Sequence, residues 1–301
     1  MKQSSGAAEM GRREATASDT TLLVVVVDVN PTSWVMGPGG ASLRTVLEHL
    51  CIYINAFRAL HAGNRLAIIA CHPGQPTLLL HASHEIEGSL HLNLIPALLS
   101  IARKAPAVGT SATALSSALS IALCHINRYM PADVTHQQAQ ILALTATQDD
   151  PAQYNSIMNC IFAAQRSSIM VDCCALRTSS TFMQQSAHMT GGVYLEPTVE
   201  EESGLSQLLI TLALPDRFCR LQLRQPKAHD VDFRAACFLT NQMLDRAFVC
   251  SVCLSIFHHG DIIECPACRS RFPPPKVAPR KRKRPPAQPV TAPTGPAPLE
   301  T

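Results

Sequence analysis

The sequence predicts an α/β protein, a doubly wound and mostly parallel sheet followed by a small single-zinc ribbon. Three observations lead there. Leu22 to Val27 are six consecutive apolar residues closed by Asp28, and Asn30-Pro31 breaks the run. A short, largely β-branched run of this kind reads as a strand buried on both faces. Strand-like runs then alternate with helix-periodic segments over residues 21–214, the pattern of a parallel sheet with crossover helices. Near the C-terminus, Cys250/Cys253 and Cys265/Cys268 form two Cys-x-x-Cys pairs separated by eleven residues.

Each element has its own signal. Trp34 to Gly40 reads as a loop. Val46, Leu47, Leu50, Ile54, Phe57 and Leu60 recur at helical spacing, and Ala62-Gly63-Asn64 stops that helix. Leu66 to Cys71 is a second buried strand. His72-Pro73-Gly74 turns it, so Thr77 to His81 should return antiparallel at the sheet edge. Leu90 to Ala102 and Thr113 to Tyr129 read as helices, and Ile141 to Leu144 as a strand. Asn155 to Gln165 is helical. Ile169 to Leu176 is a strand with an odd charge, Asp172, inside an apolar run. Phe182 to His188 is a helix, Gly191-Gly192 a turn, Val193 to Leu195 a short strand, and Leu205 to Leu214 a helix stopped by Pro215. Residues 215–245 read as a connector with a bridging strand around Val231-Asp232-Phe233. Residues 246–272 are the ribbon, and no internal repeat is expected.

Composition bounds the function. With 301 residues and 47% hydrophobic content, one medium domain plus a small module can bury a core. No run of eighteen uncharged apolar residues is present, so no membrane span is expected. Residues 1–20 are polar, lack a secretory h-region, and read as a disordered leader. Of the twelve cysteines, several lie inside apolar runs (Cys51, Cys71, Cys124, Cys160, Cys173, Cys174), which suits buried, reduced thiols in a reducing compartment. The net charge of +3 is unevenly spread. Residues 273–301 carry six basic residues against Glu300, leaving the rest slightly acidic. That argues against a broad nucleic-acid face on the folded body. The same tail holds ten of the 22 prolines and reads as disordered. Its run Arg280, Lys281, Arg282, Lys283, Arg284 is a candidate nuclear import signal. Phosphate-cradling glycine motifs, a Gly-x-Ser-x-Gly elbow and His-Glu-x-x-His are absent, so no catalytic residue and no small-molecule substrate are expected.

Cys250, Cys253, Cys265 and Cys268 are the strongest chemical signal. Four thiolates from two knuckles suit one tetrahedral, closed and therefore structural zinc. A cross-braced RING would need eight ligands. Cys237, His229, His258 and His259 do not supply a regular second set, so a RING-like ubiquitin ligase module is the alternative reading. At the carboxyl end of the first strand, Asp28, Asn30 and Thr32, with Thr113 and Asp149, could present oxygens to magnesium. Asp28 and Asn30 capping the loop by hydrogen bonding is the competing reading.

The order Asp28-Val29-Asn30-Pro31-Thr32, then Thr113, then Asp149 resembles a von Willebrand factor A domain with its metal-dependent adhesion site. Asn30-Pro31 and Gln148-Asp149-Asp150-Pro151 depart from the adhesion pattern, and magnesium is not expected. Taken with Val231 to Cys237, Cys250-Ser251-Val252-Cys253-Leu254-Ser255-Ile256-Phe257, Cys265-Pro266-Ala267-Cys268, Leu23 to Pro31, Ala122-Leu123-Cys124 and Ile161 to Gln165, the chain resembles the smaller von Willebrand A and zinc-ribbon subunits of general transcription factor IIH. The resemblance spans roughly residues 20–272. It implies a nuclear, non-catalytic core subunit that binds a larger sister subunit carrying its own von Willebrand A domain and zinc modules. The assembly would open DNA in RNA polymerase II initiation and nucleotide excision repair. Its helicases would be other chains, and any DNA contact of this one would be indirect.

Overall fold

The computed structural model describes residues 20–35, 42–73, 78–82, 90–104, 113–130, 137–224, 231, 233–240 and 243–272. Residues 1–19 of the expected leader, residues 36–40 of the loop, Gly74, Thr77, His229 and the tail with Arg280, Lys281, Arg282, Lys283 and Arg284 lie outside the described residues, while Thr20 already belongs to the first strand. The strands of the main sheet are β1 (Thr20–Asp28), β2 (Arg65–Cys71), β3 (Leu78–Ala82), β4 (Gln137–Thr145), β5 (Met170–Ala175) and β6 (Tyr194–Leu195). Their order is β3-β2-β1-β4-β5-β6. All pairings are parallel except β2 with β3, the edge hairpin expected from the sequence. This is the von Willebrand A-like arrangement, with β1 central and the strand order reversing between β1 and β4.

The helices are α1 (Pro31–Val35), α2 (Leu43–Leu60), α3 (Leu90–Ala102), α4 (Leu115–Tyr129), α5 (Tyr154–Arg166), α6 (Thr181–Thr190), α7 (Leu205–Leu208) and α8 (Arg217–Gln222). They cover both faces because β1 presents apolar side chains to both. Leu23, Val25, Val27 and Val29 join Leu47, Leu50, Ile54, Leu98 and Leu209 on one side. Leu22, Val24 and Val26 join Leu119, Ile126, Ile161 and Met183 on the other. The two-residue period of a strand makes that division, and each such side chain stabilises the fold by about 1.5–3 kcal/mol. Ser42 and Ser180 start α2 and α6 by accepting the Thr45 and Met183 N–H groups. Gly191 ends α6 at φ 73°. A Cβ on Gly192 would stand 2.1 Å from the Val171 carbonyl oxygen, so only glycine fits there.

Four expectations change. Cys51, Cys71, Cys173 and Cys174 are buried as expected, but Cys124 is exposed, on the outward side of α4, and Cys160 is half-buried on α5. Pro31 does not merely end β1; it opens α1, so Trp34 and Val35 are helical rather than loop. Proline suits a first helical turn, where its missing N–H is not needed. The segment expected as one helix from Leu205 to Leu214 begins as a 3₁₀ turn at Glu201–Gly204, becomes α7, and widens into a π-turn over Leu209–Ala213. In the connector, the strand is β7 (Ala235–Ala236), paired with β8 (Met243–Leu244); Val231 and Phe233 are not in a strand, and Asp232 lies outside the described residues. The ribbon follows, with β9 (Phe248–Val249) antiparallel to β10 (Ile256–Phe257).

Candidate metal centre and the cleft beyond the sheet

The ribbon's two cysteine pairs are built alike. In the first, the Leu254 N–H reaches the Cys250 carbonyl at 3.0 Å and the Cys250 N–H reaches the Ser255 carbonyl at 2.9 Å. In the second, Arg269 to Cys265 is 2.7 Å and Cys265 to Ser270 is 2.9 Å. Leu254 and Arg269 take the same left-handed backbone, φ 63° and 60°. Each hairpin therefore repeats Cys-x-x-Cys-x-Ser, a short internal repeat where none is expected from the sequence. The turns bring the sulfurs together. Cys250 Sγ lies 3.8 Å from Cys268 Sγ, and Cys253 Sγ lies 3.7 Å from Cys265 Sγ. All four lie within 4.8 Å of one another, the only such metal-capable group of His, Cys, Asp and Glu among the described residues. Thiolates about 2.3 Å from a tetrahedral zinc stand about 3.8 Å apart, so the donor set fits the ion.

The sulfurs differ: burial pushes the Cys265 thiol up to about 11, while local donors favour the ionised form at Cys268. The Ser270 hydroxyl and N–H bring Cys268 down to about 6. At Cys237 burial pushes the thiol up, but hydrogen bonds from Thr240, Leu239 and His258 outweigh it and bring it down to about 7. Cys237 sits apart from the four-sulfur group, and His258 and His259 are exposed. The ribbon core is small: Cys250, Phe257 and Cys265 are buried, with Phe238, Ile262 and Phe272 packed on them.

The other candidate set converges beyond the carboxyl ends of β1 and β4, at the switch point of the sheet, where open α/β sheets place their ligands. Asp28, Thr113 and Asp149 line one cleft there with Thr147, Gln148 and Asp150. The carboxyl oxygens of Asp28 and Asp149 are already engaged. Asp28 Oδ1 accepts the Asn30 N–H at 3.0 Å, while Oδ2 accepts those of Ala146 and Thr147 at 3.1 and 2.8 Å. Asn30 Oδ1 accepts from the Thr32 N–H and hydroxyl, and Asn30 Nδ2 donates to Thr147 Oγ1. Asp149 accepts from the Ser180 hydroxyl and the Phe182 N–H, at the start of α6. The arrangement is a polar suture joining the ends of β1 and β4 to α1 and α6.

Burial pushes the Asp28 and Asp149 carboxyls up, partly offset by these hydrogen bonds. What they add through ionisation is therefore present in full below the ordinary value of 3.8 and is lost as pH rises through their folded values. Asp28→Ala would leave three N–H groups, two buried and one half-buried, without their acceptor and should cost about 3 kcal/mol in urea unfolding. A cost under about 1 kcal/mol would mean that water replaces the carboxylate freely.

The odd charge Asp172 belongs to a second buried network. Arg220 of α8 meets it in a two-pronged pair, Nη1 to Oδ1 at 2.6 Å and Nη2 to Oδ2 at 2.7 Å. Asp172 also accepts from the Val193 N–H at 2.7 Å and from Gln140 Nε2. The π-turn aims the Ala213 carbonyl inward, where Gln140 Nε2, Arg220 Nη2 and the Tyr53 hydroxyl all reach it. The charge was visible in the sequence; its partner, in a different element, was not.

The family described as "Transcription factor Tfb4" is matched over residues 20–95 and 93–269. The chain is 34% identical over 273 residues to the General transcription and DNA repair factor IIH subunit tfb4 of Schizosaccharomyces pombe, covering 85% of this chain and 90% of that protein. With subunit TFB4 of Saccharomyces cerevisiae it shares 31% over 313 residues, covering 90% and 91%. With General transcription factor IIH subunit 3 of Dictyostelium discoideum it shares 36% over 255 residues, covering 75% and 67%. Among solved structures, the TFIIH p34 N-terminal domain superposes with a TM-score of 0.55 at 28% identity, covering 65% of this chain and 99% of that one. A match that runs through both the sheet and the cysteine hairpins makes this chain a member of the transcription factor Tfb4 family.

Proposed function

We propose that this chain is a non-catalytic core subunit of general transcription and DNA repair factor IIH, working in the nucleus as a scaffold. Family membership across both modules carries the reading. The chemistry of the chain supports it. The carboxylates in the switch-point cleft hold backbone amides rather than facing a free site. Four cysteines suit one zinc with a closed shell, which folds a module and leaves no position for substrate. In this reading Cys250, Cys253, Cys265 and Cys268 are the zinc ligands, Asp28, Asn30, Thr32, Thr113 and Asp149 hold no magnesium, and the basic tail directs nuclear import. The rigid sheet domain and the ribbon each dock protein, chiefly a sister subunit with its own von Willebrand A and zinc modules. Exposed apolar side chains on the ribbon, Phe248, Val249, Val252, Leu254 and Ile263, suit such docking.

The test is purification of the tagged chain from nuclear extract of its own cells, with mass spectrometry after a high-salt wash. Stoichiometric recovery of a second von Willebrand A subunit together with helicase subunits is expected. Recovery of the chain alone, or with ubiquitin-conjugating enzymes only, would overturn the reading. A RING-like ligase would further require two zinc ions per chain. Among the described residues no second metal-capable group accompanies the four cysteines.

A further inference from the structure

The two cysteine hairpins match in backbone and in sulfur contacts. Ser255 Oγ lies 3.1 Å from Cys253 Sγ, and Ser270 Oγ lies 3.2 Å from Cys268 Sγ. They differ in what stands behind the serine. Ser270 is half-buried, whereas Ser255 is 1% exposed, and its Oγ lies 2.8 Å from Asn155 Nδ2. Asn155 belongs to α5, the helix whose other face packs on the sheet through Ile157, Ile161 and Ala164. A side chain of the sheet domain thus reaches a ligand sulfur of the ribbon through one hydroxyl.

The direction of the hydrogen bonds is fixed by chemistry. An amide nitrogen only donates, so Ser255 Oγ accepts from Asn155. Its single proton is then free for Cys253. A metal-bound thiolate only accepts, so that proton points at the sulfur. The serine carbonyl meanwhile holds the Cys250 N–H at 2.9 Å, so the residue is fixed at both ends.

We propose that Asn155 and Ser255 form a relay that positions the Cys253 thiolate and couples the ribbon's hold on its metal to its seat on α5. The inference rests on the single-zinc reading above. Partners behind a ligand orient it and tune its donor strength. Coupling of this kind is reciprocal: removing the metal loosens the ribbon from α5, and removing the seat weakens metal binding.

The experiment uses the full chain and two readouts. Zinc retention is measured by competition with a chromogenic chelator, and the thiolate-to-metal charge-transfer band is followed in the cobalt-substituted form. Ser255→Ala should weaken zinc retention about 10–100-fold and shift the cobalt band. Asn155→Asp keeps the shape but reverses the polarity, because a carboxylate draws the serine proton away from the sulfur. It should weaken retention and shift the band in the same direction. Asn155→Leu removes the outer partner yet leaves the proton on the sulfur, so it should move the band least. The double variant Ser255→Ala/Asn155→Asp decides the route. If the relay carries the effect, Asn155→Asp adds nothing once Ser255 is gone. If it weakens retention equally in both backgrounds, its charge acts directly and the relay is overturned. One zinc per wild-type chain with Ser255→Ala unchanged overturns the relay alone. A wild-type chain that binds no zinc overturns the zinc reading and the relay together.

Discussion

Arg220→Ala is expected to destabilise the sheet domain by about 3–5 kcal/mol, the usual cost of leaving one member of a buried ion pair behind. The two members are not equivalent. Asp172 sits in the middle of β5, between β4 and β6, and cannot leave the sheet. Without the guanidinium it keeps only the Val193 N–H and Gln140 Nε2 as donors. Arg220 lies on a six-residue helix near the end of the domain and can swing into water, taking α8 with it. Asp172→Ala should therefore cost less than Arg220→Ala and show itself as detachment of α8, read by faster amide exchange at residues 217–222. Replacing both, as in Asp172→Leu/Arg220→Met, should recover much of the loss, because paired apolar groups owe no desolvation cost. Urea unfolding of the two singles and the double measures the coupling. Singles that each cost under about 1 kcal/mol, and simply add, would show that the pair is a surface contact with no structural weight.

The same network shows where sequence reading reaches its limit. β1 was legible because its own residues settle the question: six apolar side chains in a row admit no face for water. α2, α4 and α5 were legible for the parallel reason that helical spacing is a local property. The hairpin of β2 and β3 followed from a turn signal. By contrast, Asp172 looked anomalous because the guanidinium that neutralises it arrives from another element. Asp28 left two readings open because its acceptor oxygens are filled from residues 146 and 147, more than a hundred positions away. Pro31 misled for a subtler reason. Proline both ends strands and begins helices, and only the Trp34 indole, donating to the Asp28 carbonyl at 3.0 Å, shows which role applies. The cysteine spacing was legible, yet Ser255 and Ser270 passed unnoticed because a serine two residues beyond a cysteine carries no signal until the turn is seen.

If the four cysteines hold zinc as proposed, stripping it should have the largest effect of any single change, and it should be confined to the ribbon. Residues 246–272 bury few apolar side chains, so little besides the ion offsets the entropy of ordering them. Structural zinc in small modules supplies about 10–16 kcal/mol at neutral pH. A strong chelator, or Cys265→Ser, should therefore unfold the ribbon outright. The sheet domain has two apolar layers of its own and should stay folded. Two-dimensional amide spectra would show ribbon resonances collapsing while those of β1, β4 and β5 persist. Acid should act in the same way. Cys268, depressed to about 6, favours the folded state fully above its ordinary value of 9.0 and loses that contribution as pH falls through 6. Protons also compete with the ion for every sulfur, so zinc release should steepen over the same range. A ribbon that kept its dispersed resonances in chelator at neutral pH would show that packing around Phe257 suffices without an ion, and the closed-site reading of the four cysteines would fall.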